Sequence, residues 1–237
     1  MLSVDTCCFE TRDEYVKLNL SKFDEVTRQT SEGQQRTYFE VKSVFPGLNK
    51  VVYMPETGAV TFDISGKILP EQHRQLITQA NIEQVFECIN GTGVVKADML
   101  SVLENSIVRR IDFTNNVEVG NVSEYMQAVA LISSPKYSKD VYRGKGTEAG
   151  KTGVVFRGRY RTFKEHLLFY DKQEETGNSI YAGVLRVESK RSNFDAIRKD
   201  VEADNNLIDI LTSTQKPVLK VYGRITGMNE ANVKIYD

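Results

Sequence analysis

Residues 167–191 read LLFYDKQEETGNSIYAGVLRVESKR. Two apolar runs, one ending at Tyr170 and one beginning near Val184, flank a polar stretch that holds Glu-Thr-Gly-Asn-Ser. Alternating runs on either side of turn residues predict an antiparallel hairpin. On a regular first strand, His166, Leu168, Tyr170 and Lys172 share a face. On the second, Val184, Arg186, Glu188 and Lys190 share one face, while Leu185 and Val187 take the other. One register of this hairpin sets Glu188 opposite His166 and Arg186 opposite Leu168. Long hairpins of this kind favour α+β, with a mainly antiparallel sheet and packed helices, over a doubly wound parallel sheet.

The rest of the chain extends that reading. Strand patterns rich in Val, Tyr, Phe and Thr run through 35–45, 49–56 and 59–68, with turns at Pro46-Gly47 and Glu56-Thr57-Gly58. Pro70 opens a helical pattern over 71–89, with Leu76, Ile77, Ala80, Val85, Phe86 and Ile89 on one stripe and Asn90-Gly91 as its stop. A short helix over 97–105 precedes a strand at 107–119, on which Ile111 and Phe113 face one way and Arg110, Asp112 and Thr114 the other. Asn121 with Glu124 three residues on has capping-box spacing and starts another helix. A polar loop is expected over 136–152, then strands at 153–158, 161–172 and 179–190. A helix over 192–213 and a last strand over 218–225 complete the order.

A length of 237 residues suits one domain over 1–237, built as a unit or as two related halves, 1–106 and 107–237. Hydrophobic residues make up 40% and charged residues 27%, ordinary values for a folded chain. Cys7, Cys8 and Cys88 have no CxxC spacing and read as small buried residues rather than a zinc site or a bridge. His73, among polar neighbours, reads as solvent-exposed. The first residues carry no basic, apolar leader, and no apolar run approaches membrane-spanning length. A cytoplasmic location with no membrane partner follows as the expectation. GxGxxG, GxxxxGK[ST] and HExxH are absent, which removes the usual grounds for nucleotide-fuelled or zinc-protease chemistry.

The net charge of −1 hides a segregation. Between Lys136 and Lys172 stand ten basic and four acidic residues, a local +6 that leaves −7 for the remainder. Arg143, Lys145, Lys151, Arg157, Arg159, Arg161 and Lys164 are the expected contacts to a nucleic-acid backbone. Tyr137, Tyr142, Phe156 and Tyr160 are interleaved with them, either to stack on unpaired bases or to fill the strands' core.

The predicted hairpin also carries chemistry. A phenol titrates near ~10 and needs activation before it attacks. The Lys172 ammonium beside Tyr170, or a metal, would favour the phenolate. Asp112, Glu175 and Glu188, with His166, form an oxygen-rich set able to hold Mg²⁺ or Mn²⁺. Arg186 is suited to clamp a phosphate oxygen. Asp171 and Glu174 face away by alternation. Taken by itself, a Tyr/Lys/Glu hairpin of this kind is more often an ordinary structural one.

Three blocks nevertheless occur in a telling order: VRRIDFTNN (108–116), YRTFKEHLLFYDKQEE (160–175) and YAGVLRVESKR (181–191). Together they resemble the gene II/gene X replication proteins of filamentous phages, a family of rolling-circle replication initiators. A weaker fourth block, VTFDISGKIL (60–69), is similar to an acidic strand of that family. The resemblance implies that Tyr170 is a nicking tyrosine, with Lys172, Glu175, Arg186, Glu188 and Asp112 as site residues. It implies a metal-dependent DNA nickase–ligase that works through a covalent 5′-phosphotyrosine. Origin duplex and single-stranded DNA would be its substrates, and host helicase and polymerase its partners. The chain departs from many other rolling-circle initiators in having no His-hydrophobic-His triplet. A non-catalytic nucleic-acid-binding regulator on the same scaffold, and a protein-binding α+β domain, are the competing expectations.

Overall fold

The computed structural model describes residues 1–29, 33–41, 45–70, 75–142, 153–159 and 165–228. The fold is α+β with a mainly antiparallel sheet. The strands are β1 (Val4–Arg12), β2 (Val16–Leu18), β3 (Phe23–Gln29), β4 (Gln35–Val41), β5 (Leu48–Met54), β6 (Ala59–Ser65), β7 (Val95–Ala97), β8 (Ile107–Glu118), β9 (Tyr137–Tyr142), β10 (Gly153–Gly158), β11 (Glu165–Asp171) and β12 (Val184–Arg191). The helices are α1 (Ile82–Gly91), α2 (Met99–Asn105), α3 (Val122–Leu131), α4 (Lys172–Thr176), α5 (Phe194–Val201), α6 (Leu207–Thr212) and α7 (Pro217–Thr226). Two compact units result: Met1–Ile111 with Ile197–Thr214, and Asp112–Ala196 with Gln215–Asp237.

In the first unit, strand order is β3-β4-β5-β6-β1, each neighbour antiparallel to the next. Its core is the inward face of these alternating strands. Phe9 and Phe62 stack there with ring centroids 5.1 Å apart, beside buried Val51, Val60 and Ile64. The start of β8 is held by two ion pairs, Arg109 to Glu10 at 3.0 Å and Arg110 to Asp63 at 2.9 Å. The fourth block of the resemblance, through Asp63, thus meets the first through Arg110. Short β2 and β7 form a separate antiparallel pair.

In the second unit the order β12-β11-β10-β9 is antiparallel throughout, and β8 neighbours β12. The two faces of this sheet differ. Glu165, Leu167 and Phe169 point to the face that carries α3 and α7. There, Tyr222 of α7 meets Phe169 edge-on at 6.2 Å, and Arg224 reaches Glu165 at 3.3 Å. Lys139 of β9 donates to the carbonyls of Ala130 and Ile132, closing the end of α3 where a cation suits exposed carbonyls. His166, Leu168, Tyr170, Arg186, Glu188 and Lys190 point to the opposite face.

Several expected elements are replaced. The helix expected over 71–89 begins at Ile82, because Ile77 is drawn into a bridge with Val4 at 2.8 and 2.9 Å and is therefore extended. Residues 71–74, with His73, lie outside the described residues. The stretch read as a loop over 136–152 starts as β9, and its remainder from 143 lies outside the described residues. The helix expected over 192–213 splits into α5 and α6 at Glu202, whose φ of +53° leaves the helical region, and Asn206 caps the second piece. The strand expected over 218–225 is α7. Pro217 opens it, buried Val218, Val221 and Ile225 follow helical spacing, and Gly227 at φ +73° ends it. β1 and β3, absent from the sequence reading, complete the first sheet.

No helix among the described residues is long and apolar enough to cross a membrane. Phe62→Ala should lower the unfolding free energy by about 3–5 kcal/mol, since the stacked Phe9 ring cannot refill the space. Urea denaturation checks this, and a loss below 1 kcal/mol would place Phe62 outside the cooperative core.

Candidate functional site

The connection from β11 to β12 determines the site. Instead of the expected tight turn, Asp171 ends the strand and caps a helix, accepting from the backbone N–H of Gln173 at 2.8 Å and of Glu174 at 3.1 Å. Gly177, at φ +67°, closes α4, and a 3₁₀ turn over Ser179–Tyr181 leads to β12. Asp171 is therefore a structural cap. Lys172 leaves the strand and becomes the first residue of α4, so the expectation that it projects beside Tyr170 from the same strand is corrected.

The longer connection also resets the register. Tyr170 lies opposite Arg186, Leu168 opposite Glu188 and His166 opposite Lys190. The expected pairs Glu188–His166 and Arg186–Leu168 are thus displaced by two residues. An even displacement keeps every side chain on its expected face.

Tyr170 is 1% exposed, and its hydroxyl donates to Glu188 Oε1. Burial, then the negative charge of Glu188, pushes the phenol well above its ordinary range, and the lowering by Arg186 is smaller. The expectation of a phenolate favoured by Lys172 is corrected accordingly: at rest Tyr170 is a protonated phenol on a carboxylate. Lys172, 2% exposed, spends its ammonium on Glu175 and sits 5.9 Å from the Tyr170 ring centroid and 5.7 Å from that of Tyr181.

On β12, Arg186 Nε donates to Asn116 Oδ1 of β8 at 2.8 Å. Lys190 Nζ lies 3.4 Å from Asp112 Oδ2 and 3.7 Å from Glu188 Oε2. Tyr170, Glu188, Lys190 and Asp112 therefore form one continuous polar row. Asp112 was expected on the polar side of its strand, yet it is buried along with Ile111 and Phe113. Half-buried His166 sits between Arg157 and Lys190 in the register. Burial, Arg157 and Lys190 hold its imidazole below the usual histidine range.

Four side chains carry the expectation of a metal: Asp112, Glu175, Glu188 and His166. Among the described residues no three His, Cys, Asp or Glu side chains converge as a ligand set. Glu175 is engaged by Lys172, and both Asp112 and Glu188 face the Lys190 ammonium. The donor set does not fit a divalent ion as it stands.

Of the expected nucleic-acid contacts, Arg143, Lys145, Lys151, Arg161 and Lys164 lie outside the described residues, as does Tyr160. Arg159 is exposed. Arg157 is bound to Asp140 and to the Tyr142 hydroxyl within the sheet. Tyr137 is buried and donates to Glu165 at 2.8 Å, while Phe156 meets Phe169 edge-on at 6.2 Å, so both are core residues rather than stacking platforms. A cavity of about 600 Å³ between α3 and β9–β10, lined by Met126, Ala130, Val141 and Val154, lies on the helix-covered face.

Comparison with known proteins adds little at the level of residues. No family model and no curated protein matches the sequence. A solved structure, the rolling circle replication initiator protein from Geobacillus stearothermophilus, is similar over 97% of this chain and 97% of that one, at 11% identity and a TM-score of 0.41. No residue role follows from it.

Sequence reasoning missed Lys190 and Asn116 as site members. Strand alternation carries the signal for both: Lys190 shares the face of Glu188, and Asn116 lies an even number of residues from Asp112. His166 generates a testable outcome. Its folded pKa is depressed, so the unfolded chain binds the extra proton first as pH falls below about 6.5. Stability should therefore fall with pH from there down to the folded pKa, then level. Histidine NMR should find His166 titrating below about 6.5; a midpoint above that value contradicts the burial argument.

Proposed function

We propose that the chain is a DNA nicking–joining endonuclease of the rolling-circle initiator kind, with Tyr170 as nucleophile and Glu188 as general base. The observation that carries this reading is the Tyr170–Glu188 hydrogen bond with Arg186 directly across from the phenol. The three sequence blocks of the resemblance support it, since they fall on neighbouring strands β8, β12 and β11. The +6 segment supports it further, as a phosphate-binding stretch adjoining the tyrosine.

A phenol held protonated by burial attacks only if its proton leaves as the new bond forms. In the proposed step, Tyr170 Oη bonds to phosphorus and its proton passes to Glu188 Oε1. The bond from phosphorus to the 3′ oxygen breaks, and that oxygen takes a proton from water. The products are a 5′-phosphotyrosine and a 3′-hydroxyl able to prime synthesis. Reverse attack by a 3′-hydroxyl reseals the strand, and the phosphotyrosine conserves the bond energy, so no nucleotide is consumed. Arg186 is suited to bind a non-bridging oxygen and offset charge gathering on the phosphoryl group. Origin duplex and single-stranded DNA are the proposed substrates, with host helicase and polymerase acting on the nicked product.

One observation favours a second reading. Tyr170 is 1% exposed, so attack requires the phenol to be uncovered when DNA arrives. A regulator that binds nucleic acid through the basic segment without cutting needs no such step.

Tiled, end-labelled single-stranded oligonucleotides from the replicon that encodes the chain separate the two. Nicking predicts an SDS-resistant adduct that maps to Tyr170, lost by more than 100-fold in Tyr170→Phe while salt-dependent binding is retained. Undiminished adduct in Tyr170→Phe removes Tyr170 from the role of nucleophile. Binding without any adduct in the wild-type chain supports the regulator.

A further inference from the structure

The Asp112–Glu188 pair poses an electrostatic problem of its own. Both side chains are nearly buried, 9% and 4% exposed. Two carboxylates that converge out of water need a cation between them, or one must take up a proton. Where such a pair serves phosphodiester chemistry, a divalent ion is the usual answer. Here the chain supplies the cation itself. Lys190 leaves β12 two residues after Glu188, so strand geometry sends its side chain to the same face. Its ammonium stands 3.4 Å from Asp112 Oδ2 and 3.7 Å from Glu188 Oε2, within ion-pair reach of both carboxylates. The remaining Glu188 oxygen takes the Tyr170 proton.

We infer that Lys190 is the resident cation of this pair, filling the position between Asp112 and Glu188 that a divalent ion would need. The wild-type chain then binds no divalent ion at these carboxylates. Lys190 acts as a positioning residue: it holds Glu188 with Oε2 toward the ammonium and Oε1 toward the phenol. The arrangement trades a Lewis acid for a fixed point charge on a four-carbon stem. Its side chain is 42% exposed, so the ammonium reaches the pair from the solvent side while the carboxylates stay covered. This assignment concerns the site of the proposed reaction, but cation binding is read without DNA, so its failure and the failure of the nicking reading are separate results.

Mn²⁺ alone is the probe, followed by electron paramagnetic resonance and by calorimetry on the full chain. The wild-type protein should show no stoichiometric binding below millimolar Mn²⁺ that Asp112→Asn removes. Lys190→Met, which keeps the stem and deletes the charge, should gain one site at least 10-fold tighter. The double variant Lys190→Met with Asp112→Asn should lose it again. Stoichiometric Mn²⁺ binding by the wild-type chain that Asp112→Asn or Glu188→Gln abolishes would overturn the inference, and this arm holds even if Lys190→Met does not fold. A folded Lys190→Met that gains no site would overturn it equally, because the pair would then be no latent cation position.

Discussion

The hydrogen bond from the Tyr170 hydroxyl to Glu188 imposes a condition on everything around it, because it commits a carboxylate to a nearly water-free sheet face. An isolated charge in that position would cost far more than one hydrogen bond returns. Glu188 is therefore met by Lys190 as well as by Tyr170, and Lys190 is met by Asp112. The same requirement repeats along the sheet: Arg186 donates through Nε to Asn116, and Lys172 pairs with Glu175. Each member is tolerable only because its neighbour is present. Deleting one partner of such a buried pair typically costs about 3–5 kcal/mol, more than the pair contributes as a whole. The polar face is thus a unit, and its geometry is over-determined.

The opposite face solves the same problem for a different end. Glu165 is 2% exposed and is matched by Arg191, Arg224 and the Tyr137 hydroxyl. Those partners come from β12, α7 and β9, so one carboxylate ties three elements to β11. Two buried tyrosine–glutamate contacts thus share one strand, β11, but their surroundings differ. Glu165 is locked by two guanidinium groups, planar donors with little freedom, beneath a helix. Glu188 is held by one half-exposed ammonium and a phenol. The first arrangement suits a clamp and the second a site where protons and charges must move, on strands that the clamp keeps rigid.

The strands were legible where alternation is complete. β6 and β11 follow period two over most of their length, with Val60, Phe62 and Ile64, and Glu165, Leu167 and Phe169, on the buried face, whereas β10 and β12 are buried on both faces and show as short apolar runs. Elements set by neighbours were not. Leu76 and Ile77 fit a helical stripe, but Val4 at the start of β1 exchanges two backbone hydrogen bonds with Ile77, and that pairing wins. The polar YSKDVY reads as a loop, yet a lysine on an outer strand of a sheet is ordinary, and Lys139 finds the end of α3. Val218 and Val221 have strand propensity, and it was overridden by Pro at the first helical position and by burial at helical spacing. Propensity is a weak guide wherever tertiary contacts decide.

The site survived a wrong turn because of parity. Reading residues 174–179 as the hairpin turn mispaired the strands by two positions, and a shift of two returns each side chain to its own face. A shift of one would have moved Tyr170, Arg186 and Glu188 to the side of α7. What the shift changed is who stands across from whom. The expected register gave Arg186 a leucine as its neighbour, whereas the folded one gives it Tyr170. An arginine directly across from the tyrosine is the arrangement that the proposed reaction needs, since the phenol must reach phosphorus while the clamp holds a non-bridging oxygen of the same group. The helix α4, which lengthens the connection and was invisible as a turn, goes with the register that sets these two residues opposite one another.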